Sequence, residues 1–344
     1  MNIVLRGARD WVEEGLAGWD RFWFKPALPH TLALIRILAG AMLLYTHFVW
    51  SLNLEAFLGP SSWITADVSR ELHGNSIWAW TPLWHIESPA MLWTLHLTGL
   101  VVIAMFTVGL FSRVTSVLSF LLAVMYCHRL EGALFGLDQV NTMLAMYCMF
   151  GPCGAVYSVD RLIRRVRAGG PLPEPEPSVG ANVAIRLIQL HMCVIYLFGG
   201  IGKIKGDTWW VGNAFWMAVG NKEYQSLDMT WLVHYPVLCS LLAHITVFWE
   251  TFYCATVWPR WTRPITLAVA AAVHGGIALF LGMITFGLAM LIGNLAFVPP
   301  EMIRNLAAWL AGERGRGGEE GVDLERAPPQ RARRRGAAVG VNDQ

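Results

Sequence analysis

"RLIQLHMCVIYLFGGIGKIKGDTWWVG", residues Arg186 to Gly212, places an amine, Lys203, at the end of an apolar segment, with glycines just before it and two tryptophans just after. A glycine-flanked lysine invites comparison with a phosphate loop. Spacing rules that out, because a P-loop needs Gly, four residues, then Gly-Lys-Ser/Thr. Counting back from Gly202-Lys203, the first glycine position holds Leu197, and Ile204 after the lysine has no hydroxyl for Mg²⁺. The stretch does have helical periodicity. Arg186, Gln189, Cys193, Tyr196, Gly200 and Lys203 recur every three or four residues, which puts them on one stripe of a helix. The remaining positions are mostly Ile, Leu, Met, Val and Phe, suited to lipid or apolar neighbours. A spanning helix with a polar stripe facing protein fits this pattern.

The rest of the chain fits the same solvent. Its 344 residues are 55% hydrophobic and only 15% charged, against roughly 25% charge in a soluble domain. Mean hydropathy is +0.45. Seventeen tryptophans suit a membrane–water boundary. The six cysteines form no C-x-x-C pair, so neither a zinc site nor a disulfide framework is expected, and no metal. The fold class expected is an all-α integral membrane bundle with about eight transmembrane helices and no large soluble domain. The candidate spans are 31–52, 89–110, 114–131, 137–155, 183–204, 230–256, 264–283 and 284–299, the last two dividing around Gly282.

Residues 1–30 mix charges with Trp11, Trp19 and Trp23 and lack a cleavage site, so they read as an interfacial amphipathic segment instead of a signal peptide. Residues 31–300 form the transmembrane domain, interrupted by a basic, Pro/Glu-rich linker at 161–182. Residues 301–344 are polar, and the Gly-, Arg- and Glu-rich part from about Glu313 is expected to be disordered. Most of the 26 Lys and Arg fall on one side of such a bundle: the N-terminus, Arg113, the linker, Arg260 with Arg263, and the segment from Arg304. The other side holds Arg70, Arg129, Lys205 and Lys222. By the positive-inside rule the chain lies in the cell membrane with both termini cytoplasmic, and Lys203 lies at the outer end of its span. Membrane lipids are the expected surroundings, and no nucleic-acid partner is expected.

Ionisable groups inside spans are costly and normally face protein. Besides the Lys203 stripe, these are Arg36, His47, His96, Asp138, His191, His244, Glu250 and His274. Arg36 and Arg186 suit snorkelling or a structural pair with Glu250. Each histidine suits an interhelical hydrogen bond. Lys203 is balanced between snorkelling to the interface and acting as a desolvated amine, which serves as a general base where arginine cannot.

"RLIQLHMCVIYLFGGIGKIKGDTWWVGNA" resembles the core motif of the HTTM (horizontally transferred transmembrane) family, the bacterial relatives of vitamin K-dependent gamma-carboxylase. The matching positions are Arg186, Gln189, Tyr196, Gly199-Gly200, Lys203, Trp209 and Gly212. "VYSVD", Val156 to Asp160, resembles the family's Ser-Val/Leu-Asp, and the stretch from His274 to Glu301 resembles its late His-containing span and Phe-x-Pro ending. The resemblance covers roughly residues 30–300. It implies that Lys203 is the base that deprotonates a reduced, vitamin K-like quinone. Oxygenation of that anion in the carboxylase yields an alkoxide able to remove a glutamyl proton, and the carbanion captures CO₂. His274 would hydrogen-bond an oxyanion. Tyr196, Gly199, Gly200, Trp209, Asn141 and Gln189 would bind the cofactor. Two departures are visible. The carboxylase's large lumenal region is expected to have no counterpart in these 344 residues. The family histidine that opens the span before Ser-Val-Asp also gives way, to a neighbourhood holding Asp138 and Asn141.

The leading expectation is therefore a quinol-dependent, carboxylase-like membrane enzyme whose protein substrate is unknown. Two other classes stand beside it: a non-enzymatic transporter or accessory subunit of an envelope complex, and haem-based electron transfer through His47, His96, His191, His244 or His274. No inverted repeat or paired broken helix of the transporter kind is visible.

Overall fold

A computed structural model of the chain describes residues 2–74 and 76–312. The helices up to the first long loop are α1 (Asn2–Phe24), α2 (His30–Ser51), α3 (Leu54–Leu58) and α4 (Ala66–Leu72). Then come α5 (Pro89–Val108), α6 (Ser112–Arg129), α7 (Gly136–Cys148), α8 (Val159–Arg167) and α9 (Val179–Ile204). After α9 follow α10 (Asp207–Val211), α11 (Ala214–Val219), α12 (Pro236–Thr256), α13 (Arg263–Phe280), α14 (Ile284–Asn294) and α15 (Pro300–Leu310). The described chain is helical, without strands; one antiparallel bridge joins Ala27 to Ser178. It divides into two compact units, Met1–Ile303 and Arg304–Gln344. Of the second unit only 304–312 are described. The tail expected to be disordered lies outside the described residues.

Local sequence explains where the helices stop. Proline opens α5 and α12, where a missing N–H costs nothing. Gly109 closes α5 in the left-handed region at φ 72°. The break expected around Gly282 is present: α13 ends at Phe280, Gly282 turns at φ 69°, and α14 starts at Ile284. Two expected boundaries are corrected. The fourth segment ends at Cys148 instead of 155, because Gly151-Pro152 and Gly154 follow and the chain turns. The sixth helix starts at Pro236, after a 3-10 turn at Thr230–His234.

Among the described residues, five helices are long and apolar enough to cross a membrane: α2, α5, α9, α12 and α13. A sixth results if Ile284–Phe297 and Pro300–Leu310 count as one broken span. Neither α6 nor α7 is among them. α6 carries Arg113, His128 and Arg129 near its ends, and α7 has only 13 residues.

The largest buried cluster is built from α2, α7, α9, α12 and α14, with Leu32, Ile35, Leu144, Ile188, Met192 and Tyr253 at its centre. Glycines set two of the crossings. A Cβ on Gly40 of α2 would lie 2.9 Å from the Cα of Thr107 in α5, and one on Gly200 of α9 would lie 2.6 Å from the Thr251 amide of α12. Such close backbone approach is how apolar helices pack without a hydrophobic driving force between them.

At the opposite end of the fold from Lys203's loop, the "VYSVD" stretch makes a corner. The Asp160 carboxylate accepts the Phe111 and Ser112 amides at 2.8 Å and the Ser112 hydroxyl at 2.7 Å. Ser158 caps α8 by accepting the Arg161 amide at 3.1 Å. Asp160 thus holds the start of α6 against α8, and Phe111 keeps its left-handed backbone, φ 48°, beside it.

Candidate acid–base site on helix α9

Helix α9 begins where Ser178 accepts the Ala181 amide at 3.1 Å and runs 26 residues to Ile204. The polar stripe faces inward. Gln189, Cys193, Tyr196 and Gly200 are buried, with Arg186 and Lys203 half-buried at the two ends.

At the C-terminal end, Lys203 Nζ donates to Glu250 Oε2 of α12 at 2.6 Å. The two side chains are 25% and 11% exposed, so the pair is largely out of water yet open on one side. The pair sits over Gly199. A Cβ there would lie 3.1 Å from Glu250 Oε2 and 3.9 Å from Lys203 Nζ. Trp209, on the short helix α10, places its ring 5.3 Å from the ammonium, within cation–π range. Lys203 therefore turns back along its own helix toward an acidic partner, and the snorkelling alternative does not describe it.

One to two turns earlier in α9, four side chains form a buried chain of hydrogen bonds. Tyr253 donates to Asn294 Oδ1 at 2.7 Å, and Asn294 Nδ2 donates to the Tyr196 hydroxyl at 2.8 Å and to the Met290 carbonyl at 2.9 Å. Tyr196 and His274 Nε2 are 2.7 Å apart. Because Tyr196 already accepts from Asn294, its one proton is best used on His274 Nε2, which puts the imidazole proton on Nδ1. That Nδ1 is buried with no hydrogen-bond partner among the described residues. Trp249 packs edge-on against Tyr196 at 4.9 Å between ring centres.

The expected site residues separate into groups. Lys203, Gly199 and Trp209 come together with Glu250. Tyr196 and His274 come together with Asn294 and Tyr253. Gly200 is occupied by the crossing with Thr251. Gln189 lies 14 residues before Lys203, about 21 Å along a helix. Its amide is committed to the protein, with Nε2 donating to the Ala296 carbonyl at 2.7 Å and Oε1 accepting from Arg186 Nη1 at 2.8 Å. Asn141 is buried in α7, one turn before Leu144 and Ala145, which belong to two different core clusters. Both of its amide atoms lack a partner among the described residues.

The expected pairing of Glu250 with Arg36 or Arg186 is overturned. Glu250 pairs with Lys203. Arg36, fully buried, donates to the Tyr157 carbonyl. Arg186 donates to the Phe22 carbonyl at 3.2 Å and to Gln189, so both arginines serve backbone corners instead.

Sequence reasoning left out Asn294, Tyr253 and Trp249. Asn294 had a signal: it is the lone strongly polar residue in the apolar run 284–298 apart from Thr285, and such a residue in an apolar span needs a partner. Tyr253 follows Glu250 by three residues and shares its face. Chemically, the arrangement offers a movable proton on a Lys–Glu pair and, beside it, a tyrosine–imidazole pair with one unused N–H donor. Among the described residues no group of three or more His, Cys, Asp or Glu could hold a metal. No family model, curated protein or solved structure matches the chain.

Proposed function

We propose that this chain is a multi-pass membrane enzyme of the carboxylase-like kind, in which Lys203 removes a proton from an acidic hydroxyl of a lipid-soluble ligand such as a reduced quinone. The observation that carries the reading is the Lys203–Glu250 pair, held at 2.6 Å and largely withdrawn from water on helices long and apolar enough to span. About eight crossings, with α6 and α7 included, and cytoplasmic termini complete the reading. The exposed Trp11, Leu16, Trp19 and Phe24 of α1 suit an interfacial helix.

The residues present fit such a ligand on one observation in particular. His274 Nδ1 and both amide atoms of Asn141 are buried polar atoms without partners, and buried polar groups are normally satisfied. Lys203, Trp209 and His274 would hold the ligand. Gly200 and Gln189 act on the protein itself. A bound reduced quinone would supply redox chemistry as an electron donor, which amino-acid side chains cannot.

The protein's own part is proton handling. A proton passed from Lys203 Nζ to Glu250 Oε2 leaves a neutral amine beside a neutral acid, with no net charge buried. The neutral amine then takes the ligand's hydroxyl proton, and the ammonium so formed faces the oxygen that lost it. His274 Nδ1–H would donate to a ligand oxygen, held in orientation by Tyr196 and Asn294. The test is mass spectrometry of lipids co-purifying with the wild type, Lys203→Met and Lys203→Met/Glu250→Gln. The expected result is a quinone present in the wild type and lost from both variants. The reading fails if the wild type carries none, or if all three carry the same amount.

A further inference from the structure

At the other end of α9 a cleft of about 280 Å³ opens between the start of α2, the first turns of α9 and the segment Ala296–Glu301. Lys25, Arg186 and Arg263 line it, with Asn182 and Gln189. Each arginine is fixed by neutral acceptors. Arg186 gives Nε to the Phe22 carbonyl and Nη1 to Gln189, and lies 4.4 Å over the Phe22 ring. Arg263 gives Nε to the Val257 carbonyl at 3.1 Å and Nη2 to the Trp258 carbonyl at 2.7 Å. So Arg186 Nη2 and Arg263 Nη1 are left without protein partners among the described residues. Both guanidiniums lie against Trp258, Arg186 at 5.8 Å over its ring and Arg263 on its carbonyl. Among the described residues neither has a carboxylate within ion-pair distance, and Glu301, which also lines the cleft, is exposed and unpaired.

Two like charges held side by side by carbonyls, with one donor edge each left over, form a rigid, unbalanced fork. Rigid guanidinium forks match tetrahedral oxyanions, and Lys25 adds a third charge at the rim. Apolar side chains, Leu28, Ile185 and Phe297, form the rest of the wall. We propose that this cleft binds a phosphate-bearing anion, with the phosphate seated on Arg186 and Arg263 and the apolar wall taking the remainder of the molecule. The position favours the headgroup of an anionic phospholipid. Arg186 lies 17 residues from Lys203, about 26 Å along the helix, and basic pockets at the edge of a bundle suit such headgroups. The site is separate from Lys203 and does not rest on the acid–base reading.

The test uses the full-length chain in neutral detergent, with dihexanoylphosphatidylglycerol, inorganic phosphate and dihexanoylphosphatidylcholine as probes in calorimetric titrations. The wild type is expected to bind the anionic lipid, and Arg263→Gln and Lys25→Gln each to weaken it about tenfold, the effect of losing one charge-assisted contact. Lys25 is exposed and makes no side-chain bond among the described residues, so Lys25→Gln keeps the test valid if Arg263→Gln fails to fold. Binding of the lipid without binding of phosphate identifies a headgroup as the source; binding of phosphate at comparable strength identifies a free anion. The proposal is overturned if neither probe binds, if the variants bind as the wild type does, or if the zwitterionic lipid binds equally well.

Discussion

Lys203 and Glu250 are joined across two helices, and each is expensive alone. Lys203→Met leaves a buried carboxylate unpaired and is expected to cost about 3–5 kcal/mol, while Lys203→Met/Glu250→Gln recovers most of it. Thermal unfolding in detergent checks both, and a single variant as stable as the double would show that the pair is not buried as described. Tyr196→Phe removes one acceptor from Asn294 and leaves His274 Nε2 unpartnered, at an expected cost of about 1–3 kcal/mol by the same measurement. At this scale, periodicity made the α9 stripe legible, since spacing alone fixes which residues share a face. The partner of Lys203 was not legible. Which carboxylate meets it depends on the depth and angle at which α12 crosses α9, and one helix's sequence does not contain that.

The α9–α12 crossing itself gives a paired prediction at the scale of elements. A methyl on Gly200 would press into the Thr251 backbone, whereas one on Gly202 would meet nothing within 4 Å. Gly200→Ala is expected to cost about 1–3 kcal/mol. Gly202→Ala is expected to be neutral or to stabilise by up to about 1 kcal/mol through helix propensity. Unfolding midpoints that rank the two in the opposite order would contradict the crossing. The Asp160 corner gives a pH prediction. Partial burial pushes its carboxyl up, but the Ser112 amide and hydroxyl, the Phe111 amide and nearby Arg164 outweigh that and hold it below its ordinary value. A carboxyl lowered by folding contributes stability that is fully present above its unfolded value and is lost as pH falls through the folded one. The loss therefore falls below about pH 4. Asp160→Asn is expected to cost about 1 kcal/mol at neutral pH and to flatten that acid limb. Unfolding midpoints between pH 3 and 7 measure it. Element boundaries were legible where Pro and Gly punctuate, as at Pro89, Gly109 and Gly282. The helix stops short of 155 because Gly151-Pro152-Cys153-Gly154 spells a turn within otherwise apolar residues.

For the whole molecule, α9 links two sites of opposite demand. One end holds the Lys203–Glu250 pair, for which proton transfer is proposed, and the other holds an unbalanced arginine fork. Their separation is about 26 Å, close to the ~30 Å hydrocarbon thickness of a bilayer, and in the proposed orientation the two lie near opposite faces. Phosphatase fusions test the orientation: enzyme inserted after Lys222 is expected to be active outside the cell, and enzyme fused after Gln344 inactive. The all-helical class was legible from composition. The number of crossings was less so, because α6 and α7 are shorter or more polar than a lone span needs.

In the proposed function Lys203 takes a proton from an acidic hydroxyl of a lipid-soluble ligand. The most direct measurement is the ultraviolet difference spectrum of a reduced naphthoquinone added anaerobically to the purified protein. The wild type is expected to shift the ligand's absorbance toward that of its ionised hydroxyl, with no such shift in Lys203→Met/Glu250→Gln. An identical spectrum for both proteins would contradict the account.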